Sequence, residues 1–199
     1  MIKVTGVIQA GGRSTRMGGE PKALLELGGK RIVERVVDAV AAVLDDLLLV
    51  TNTPERYAFL GLPMVADRYP EGGALGGICT GLAAAGGAAA FTVACDMPFL
   101  HPEIIRLVVG RAGEADVVIP RVDGQYETMH AVYGKACLGP MEARLRAGQL
   151  KIIGFFADVR VLEIDAAAVA RHRAPGTAFM NVNTPDELAR ARVLAAEIG

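Results

Sequence analysis

Residues 3–22 read KVTGVIQAGGRSTRMGGEPK, and this passage decides the fold. An apolar strand, Lys3–Gln9, runs directly into a loop carrying Gly11, Gly12, Gly18 and Gly19 with the cations Arg13 and Arg16. Pro21 and Lys22 follow, and a helical pattern comes soon after. Glycine lets backbone N–H groups approach a ligand without a Cβ in the way, and successive N–H groups can form an anion-binding nest. With Arg16 and Lys22 adding side-chain cations, Gly11 and Gly12 suit a triphosphate, whose β- and γ-phosphates gain negative charge as pyrophosphate leaves. The spacing is neither GxxxxGK[ST] nor GxGxxG. A solvated surface loop explains any one glycine pair equally well. The combination of Gly11–Gly12, Arg16–Met17–Gly18 and Pro21–Lys22 after the first strand is what points to phosphate.

The strand–loop–helix pattern repeats along the chain. Spacing predicts a helix over 31–44, with Ile32, Val33, Val36, Val37, Val40 and Val43 on one stripe. Strands are expected at 47–51, 63–66, 90–95 and 116–120, and helices at 75–85, 102–112 and 135–147. The stretch 126–133 is strand-like, and 158–165 alternates as an edge strand does. Thr184, Pro185 and Glu187 form an N-cap, N1 and N3 set before a last helix over 188–198. Apolar strands alternating with helices imply an α/β fold: a three-layer, Rossmann-like arrangement with a mostly parallel sheet and helices on both faces. Ligands in such sheets bind beyond the carboxyl ends of the strands.

The 199 residues are expected to form one domain, 1–199. The formal net charge of -1 leaves no basic block to track a nucleic-acid backbone, so no nucleic-acid partner is expected. Cys79, Cys95 and Cys137 are far apart, which argues against zinc or disulfides and fits a reducing, cytoplasmic setting. Residues 72–95 carry no charge over a length that could span a bilayer. Seven glycines and the Gly86–Gly87 break argue against a span.

Asp96 ends the strand in FTVACDMPFL, 91–100, and Pro98 stops that strand from continuing. A carboxylate there points into the ligand crevice, and Mg²⁺ prefers one or two carboxylates plus phosphate oxygens and water. The competing reading is an N-cap for the helix near Pro102, from which Asp96 stands too far for a direct cap. Asn52, at the end of the second strand, offers the mixed donor and acceptor that a base edge needs, or equally a turn before Pro54. Gly76 and Gly77 open a helix toward an anion, or else permit tight helix–sheet packing.

The segment AGGRSTRMGGEPK resembles the AGGxSxRMGxxK signature of nucleotidyltransferases that activate a phosphate-bearing acceptor, and most resembles the molybdenum cofactor guanylyltransferases. The resemblance covers roughly residues 3–197. It includes the strand-end CD-x-P aspartate at Asp96, and AFMNVNTPDEL at 178–188, which is similar to the family's F-x-N-V-N-T-P-E-E-L. Gln9 stands where the family usually has leucine, Ala74 where it has proline, and Thr128 and Met129 where it has proline and leucine.

The resemblance implies transfer of GMP from GTP to the terminal phosphate of a molybdopterin-type cofactor. Gln9, Ala10, Gly11, Gly12, Lys22, Asn52, Asp67 and Asp96 would then bind the nucleotide, with Arg16, Lys22 and Asp96 catalytic. Asp96 would hold Mg²⁺, with Mn²⁺ as an alternative. Asn181 and Asn183 would face the pterin-bearing acceptor from one side of an extended segment. Lys151 would reach the acceptor phosphate, or simply be solvated. His130 is unusual at its position, and a lone histidine on such a strand reads as structural.

An acceptor phosphate monoester, with a second pKa of about 6, is already largely a dianion near pH 7 and needs no general base. It needs in-line placement and charge cancellation. The further expectations are a monomer, no membrane partner, and transient contacts with cofactor-insertion proteins or apo-molybdoenzymes. The competing readings are a cytidylyltransferase for the same cofactor, a sugar- or polyol-phosphate nucleotidyltransferase, a non-catalytic nucleotide-binding regulator and a purely structural α/β domain.

Overall fold

The computed structural model describes residues 2–11, 21–172 and 175–198. In chain order the elements are β1 (Val4–Gln9), the short hairpin β2 (Glu26–Leu27) and β3 (Lys30–Arg31), α1 (Ile32–Ala41), β4 (Leu47–Val50), β5 (Met64–Val65), α2 (Gly73–Ala84) and β6 (Ala89–Ala94). There follow α3 (Pro102–Val109), β7 (Val117–Val122), β8 (Gln125–Tyr126), β9 (His130–Gly134), α4 (Leu138–Arg146), β10 (Val161–Asp165), α5 (Ala166–Ala170), α6 (Pro175–Ala178) and α7 (Pro185–Ile198).

One sheet runs β10-β7-β9-β6-β1-β4-β5, with β8 beside β7. β1 is parallel to both β4 and β6, β4 to β5, and β10 to β7. β9 is antiparallel to both of its neighbours. The chain leaves β1 toward β4 and β5, then crosses by α2 to β6 on the other side of β1. The strand order therefore reverses at β1, and the crevice at that switch point is where a ligand is expected.

Alternation along the strands divides the core. Ile8, Phe91 and Val118 pack with α1 and α3 on one face. Val7, Ala90 and Val117 pack with α2, α4 and Phe155 on the other. The sheet thus has helices on both faces, as expected. Phe155 sits in a 3-10 segment, Ile152–Asp158, that the sequence pattern did not suggest. The strand expected over 126–133 is broken: β8 ends at Tyr126 and β9 begins at His130, and the Tyr133 hydroxyl donates to the Thr128 carbonyl between them at 2.8 Å. A third cluster joins Leu27, Ile32 and Val182 to Leu188, Ala191 and Ala195 of α7.

α2 approaches the sheet closely because glycines lie on its inner face among Leu75, Ile78 and Leu82. A Cβ on Gly81 would lie 2.3 Å from Val7 Cγ1 and 3.2 Å from Val50 Cγ2. Both valines are buried and β-branched, so neither can swing aside cheaply. Gly81→Ala should therefore lower stability by about 1–3 kcal/mol, read as a shifted denaturation midpoint; an unchanged midpoint contradicts the packing. No helix among the described residues is long and apolar enough to cross a membrane. The uncharged stretch 72–95 is instead α2 followed by β6.

Candidate active site

Several strands end at one rim. Gln9 of β1 stands level with Val50 of β4 and Ala94 of β6, and Val65 of β5 pairs with Val50. The residues just beyond these ends, Ala10, Gly11, Asn52, Asp67 and Asp96, line one cavity with Gln9. Gly73, Ala74 and Gly77 of α2 wall its side, and its volume is about 480 Å³. That is the size of a small-molecule cleft. Gly12 and Arg16 lie outside the described residues, as does the rest of the loop 12–20.

The polar groups of this cavity are held by the loops that carry them. Asn52 Oδ1 accepts the Asp67 backbone N–H at 2.9 Å, tying the loop after β4 to the loop after β5. Asp67 Oδ1 accepts the Tyr69 N–H and the Thr80 hydroxyl, both at 2.9 Å. Asp67 therefore presents a fixed carboxylate with its second oxygen available to a ligand. Thr80 also accepts the Arg68 N–H at 3.0 Å. Thr80 carried one signal in the sequence, a lone hydroxyl in an otherwise small and apolar helix. Glu71 and Thr53 line the same cavity.

α2 begins at Gly73, so Gly76 and Gly77 lie inside the helix and do not open it. A Cβ on Gly76 would meet the Tyr69 carbonyl at 2.6 Å, and one on Gly77 would meet Gln9 Oε1 at 2.4 Å. Close packing is the role of both glycines.

Asp96 follows β6 at the rim. His101, not Asp96, caps α3, its Nδ1 accepting the Glu103 N–H. The Asp96 carboxyl is pushed above the usual carboxylate range, first by desolvation, with Lys22 opposing and Glu187 reinforcing. Its Oδ1 is buried with no hydrogen-bond partner among the described residues. A buried carboxylate oxygen without a donor is costly on its own, and it fits a cation ligand. Among the described residues no three His, Cys, Asp or Glu side chains cluster around a metal-sized gap. Mg²⁺ does not need such a cluster where substrate phosphates and water complete its shell.

The backbone of Asp96 links this cavity to a second one: its carbonyl accepts the Val182 N–H at 2.9 Å. Val182 is buried, and its neighbours Asn181 and Asn183 line a cavity of about 470 Å³ with Asp123, Glu127, Glu187 and Arg190. The two asparagines do share a face. Burial raises the Glu127 carboxyl above its usual range, with Asp123 adding to the shift. Thr184 caps α7 through the Glu187 N–H at 3.2 Å, and Glu187 Oε2 returns bonds to the N–H groups of Asn183 and Thr184. The expected capping box thus also fixes the asparagine segment. Arg190, one turn further along α7, had no local signal in the sequence.

Lys22 joins the two halves, its Nζ donating to Asn183 Oδ1 at 3.1 Å across 161 residues of chain. Lys151 is not drawn in: it is exposed, precedes the 3-10 segment 152–158 and lines neither cavity. A larger groove, about 780 Å³, lies between α1 and the segment Pro98–Pro102. Its cations are already engaged: Lys30 with Asp38, and Arg35 with the carbonyls of Leu27 and Gly28.

A family model described as the MobA-like NTP transferase domain matches residues 6–160. A probable molybdenum cofactor guanylyltransferase of Pelotomaculum thermopropionicum is 40% identical over 195 residues, covering 98% of this chain and 95% of that protein. A molybdenum cofactor guanylyltransferase of Desulfosudis oleivorans is 37% identical over 192 residues, covering 96% and 95%. The crystal structure of the molybdopterin-guanine dinucleotide biosynthesis protein A of Archaeoglobus fulgidus shares the fold, with a TM-score of 0.83 at 24% identity over 97% of this chain and 99% of that one. With this match over most of its length and relatives similar almost end to end, the chain belongs to the MobA-like NTP transferase family.

Proposed function

We propose that the protein is a molybdenum cofactor guanylyltransferase, transferring GMP from GTP to the terminal phosphate of a molybdopterin-type cofactor. The new bond joins an acceptor phosphate oxygen to the α-phosphorus, the bond from that phosphorus to the β-phosphate bridging oxygen breaks, and pyrophosphate leaves. The observation that carries this reading is the Lys22–Asn183 hydrogen bond at 3.1 Å. It brings the cation after the glycine loop against the segment assigned to the acceptor, which is where a nucleoside triphosphate and a phosphate nucleophile have to meet.

In this reading the backbone of Gln9, Ala10, Gly11 and Gly12 cradles the nucleotide, and Arg16 and Lys22 take the charge of the departing pyrophosphate. Asp67 accepts from the N1–H and 2-amino groups of guanine, while Asn52 holds the Asp67 loop in place. Guanine offers that carboxylate two adjacent donors, whereas cytosine offers only its 4-amino group, its N3 and O2 being acceptors; this favours GTP over CTP. Asp96 holds a divalent cation, Mg²⁺ or Mn²⁺, which when bound neutralises charge on the phosphate oxygens. Asn181 and Asn183 position the acceptor. The acceptor is a dianion at neutral pH, which accounts for the reaction needing no histidine base. We place the activity in a single-domain, cytoplasmic monomer that hands its product to insertion proteins or apo-molybdoenzymes by transient contact.

Thermal unfolding with Mg²⁺ and GTP, CTP, ATP, UTP or dTTP tests the nucleotide, since a ligand at about a hundred times its Kd adds about 2.7 kcal/mol. Stabilisation by GTP, followed by pyrophosphate release only when the pterin acceptor is added, is the expected result. Stabilisation by CTP instead moves the reading to the cytidylyltransferase. Lys22→Ala should weaken GTP binding and slow transfer by about a hundredfold; unchanged kinetics contradict the cradle.

A further inference from the structure

Gln9 carries an amide at the strand-end rim of the nucleotide cavity. It is the last residue of β1, 8% exposed, and it lines the cavity. Its Nε2 is buried with no hydrogen-bond partner among the described residues. A buried amide donor left unpaired is a net cost to the fold, and every other position in β1 is filled without one. The site is also shaped around this side chain. Gly77 of α2 faces it, and a Cβ there would stand 2.4 Å from Gln9 Oε1 and 2.8 Å from its Cδ. The absence of a side chain at 77 is what lets the amide lie between the sheet and the helix.

We infer that the Gln9 side chain is a specificity-determining residue that donates from Nε2 to the O6 of guanine; this rests on the GTP reading above. The base edge accounts for the choice of atom. Asp67, with Oδ1 held by Tyr69 and Thr80, can take only donors from the base. That satisfies N1–H and the 2-amino group and leaves O6 as the one acceptor on the same edge. O6 needs a donor from the protein. Asn52 is exposed and its Oδ1 already holds the Asp67 N–H, so its amide gains little from a base. Gln9 is dry, so an incoming acceptor relieves an unmet group, and such bonds discriminate most strongly between substrates. Adenine would bring its 6-amino donor against the Gln9 donor and the Asp67 carboxylate against an unprotonated N1.

The test compares GTP with 6-thio-GTP, which keeps N1–H and the 2-amino group but replaces O6 with a weakly accepting sulfur. ITP, lacking only the 2-amino group, is the control. Affinities are measured with Mg²⁺ for the parent protein, Gln9→Leu and Gln9→Met, the methionine variant preserving side-chain length should leucine disturb folding. The parent should prefer GTP over 6-thio-GTP by about tenfold. That preference should collapse toward unity in the variants, while the GTP-to-ITP ratio stays as in the parent. A parent that binds GTP and 6-thio-GTP alike, or a folded variant that keeps the parental preference, overturns the role of Gln9 and leaves the guanylyltransferase reading standing. A parent with no affinity for GTP overturns both.

Discussion

Asp96→Ala is expected to reduce pyrophosphate release from GTP by about a thousandfold or more, with the protein still folded. The two halves of that expectation have separate grounds. Activity should fall because the Asp96 carboxylate stands at the strand end in the first cavity, with its backbone bonded to Val182 beside the second, and has an oxygen that no described residue satisfies. Folding should survive because the anchoring at this position is done by backbone: the Asp96 carbonyl holds the Val182 N–H, and alanine keeps that bond. Stability should even rise at neutral pH. Burial raises the carboxyl pKa, so ionisation costs more in the folded state than in the unfolded one. Native stability is reduced as pH climbs from the unfolded carboxylate pKa through the raised folded one. The variant lacks that penalty, so its advantage should be present at pH 7 and fade in acid. Pyrophosphate release and thermal unfolding on the same sample check both halves; full activity contradicts the metal assignment.

His130→Leu is expected to flatten the acid side of the stability curve. His130 is fully buried on β9, opposite Val93, with its ring edge-to-face between Phe91 at 5.1 Å and Phe179 at 5.0 Å. Neither ring nitrogen has a partner among the described residues. Burial pushes its pKa down to about 3, so the folded protein keeps the ring neutral while an unfolded chain protonates it. The stability associated with the neutral ring is fully present above about pH 6.5 and is lost as pH falls toward 3. In that window one proton separates the two states, and the slope approaches about 1.4 kcal/mol per pH unit. Leucine cannot titrate, so the stability difference between variant and parent should widen by that slope as pH is lowered from 6.5 to 4. Denaturant unfolding at several pH values measures it, and parallel curves contradict the buried neutral histidine.

Much of the architecture was legible because it follows from local chemistry. The stripe Ile32, Val33, Val36 and Val40 became the inner face of α1. The Thr184–Glu187 box became the start of α7, and of the stretch 158–165 the part Val161–Asp165 became an edge strand, β10, parallel to β7, while Asp158 closes the 3-10 segment. Interruptions were harder to read. The apolar and aromatic residues of 126–133 suit a strand, but the Thr128 carbonyl bonds to the Tyr133 hydroxyl and a turn results. The family signature marked Asp96, Asp67, Asn181 and Asn183 as candidates, and the fold places the first two in one cavity and the last two in the other. Lys151 lies apart from both because the turn before the 3-10 segment carries it to the exposed surface.

The amino-acid sequence by itself determined the alternation of buried strands and amphipathic helices, the helix caps and the loops placed at strand ends. All of these depend on residues within a few positions of one another. Tertiary structure alone decided which strand ends meet. It brought Lys22 to Asn183, fixed Asp67 against Thr80, and left the Gln9 amide dry against Gly77. Those contacts join residues far apart in the chain, and they exist only because the strand order reverses at β1 and small residues let α2 settle onto the sheet.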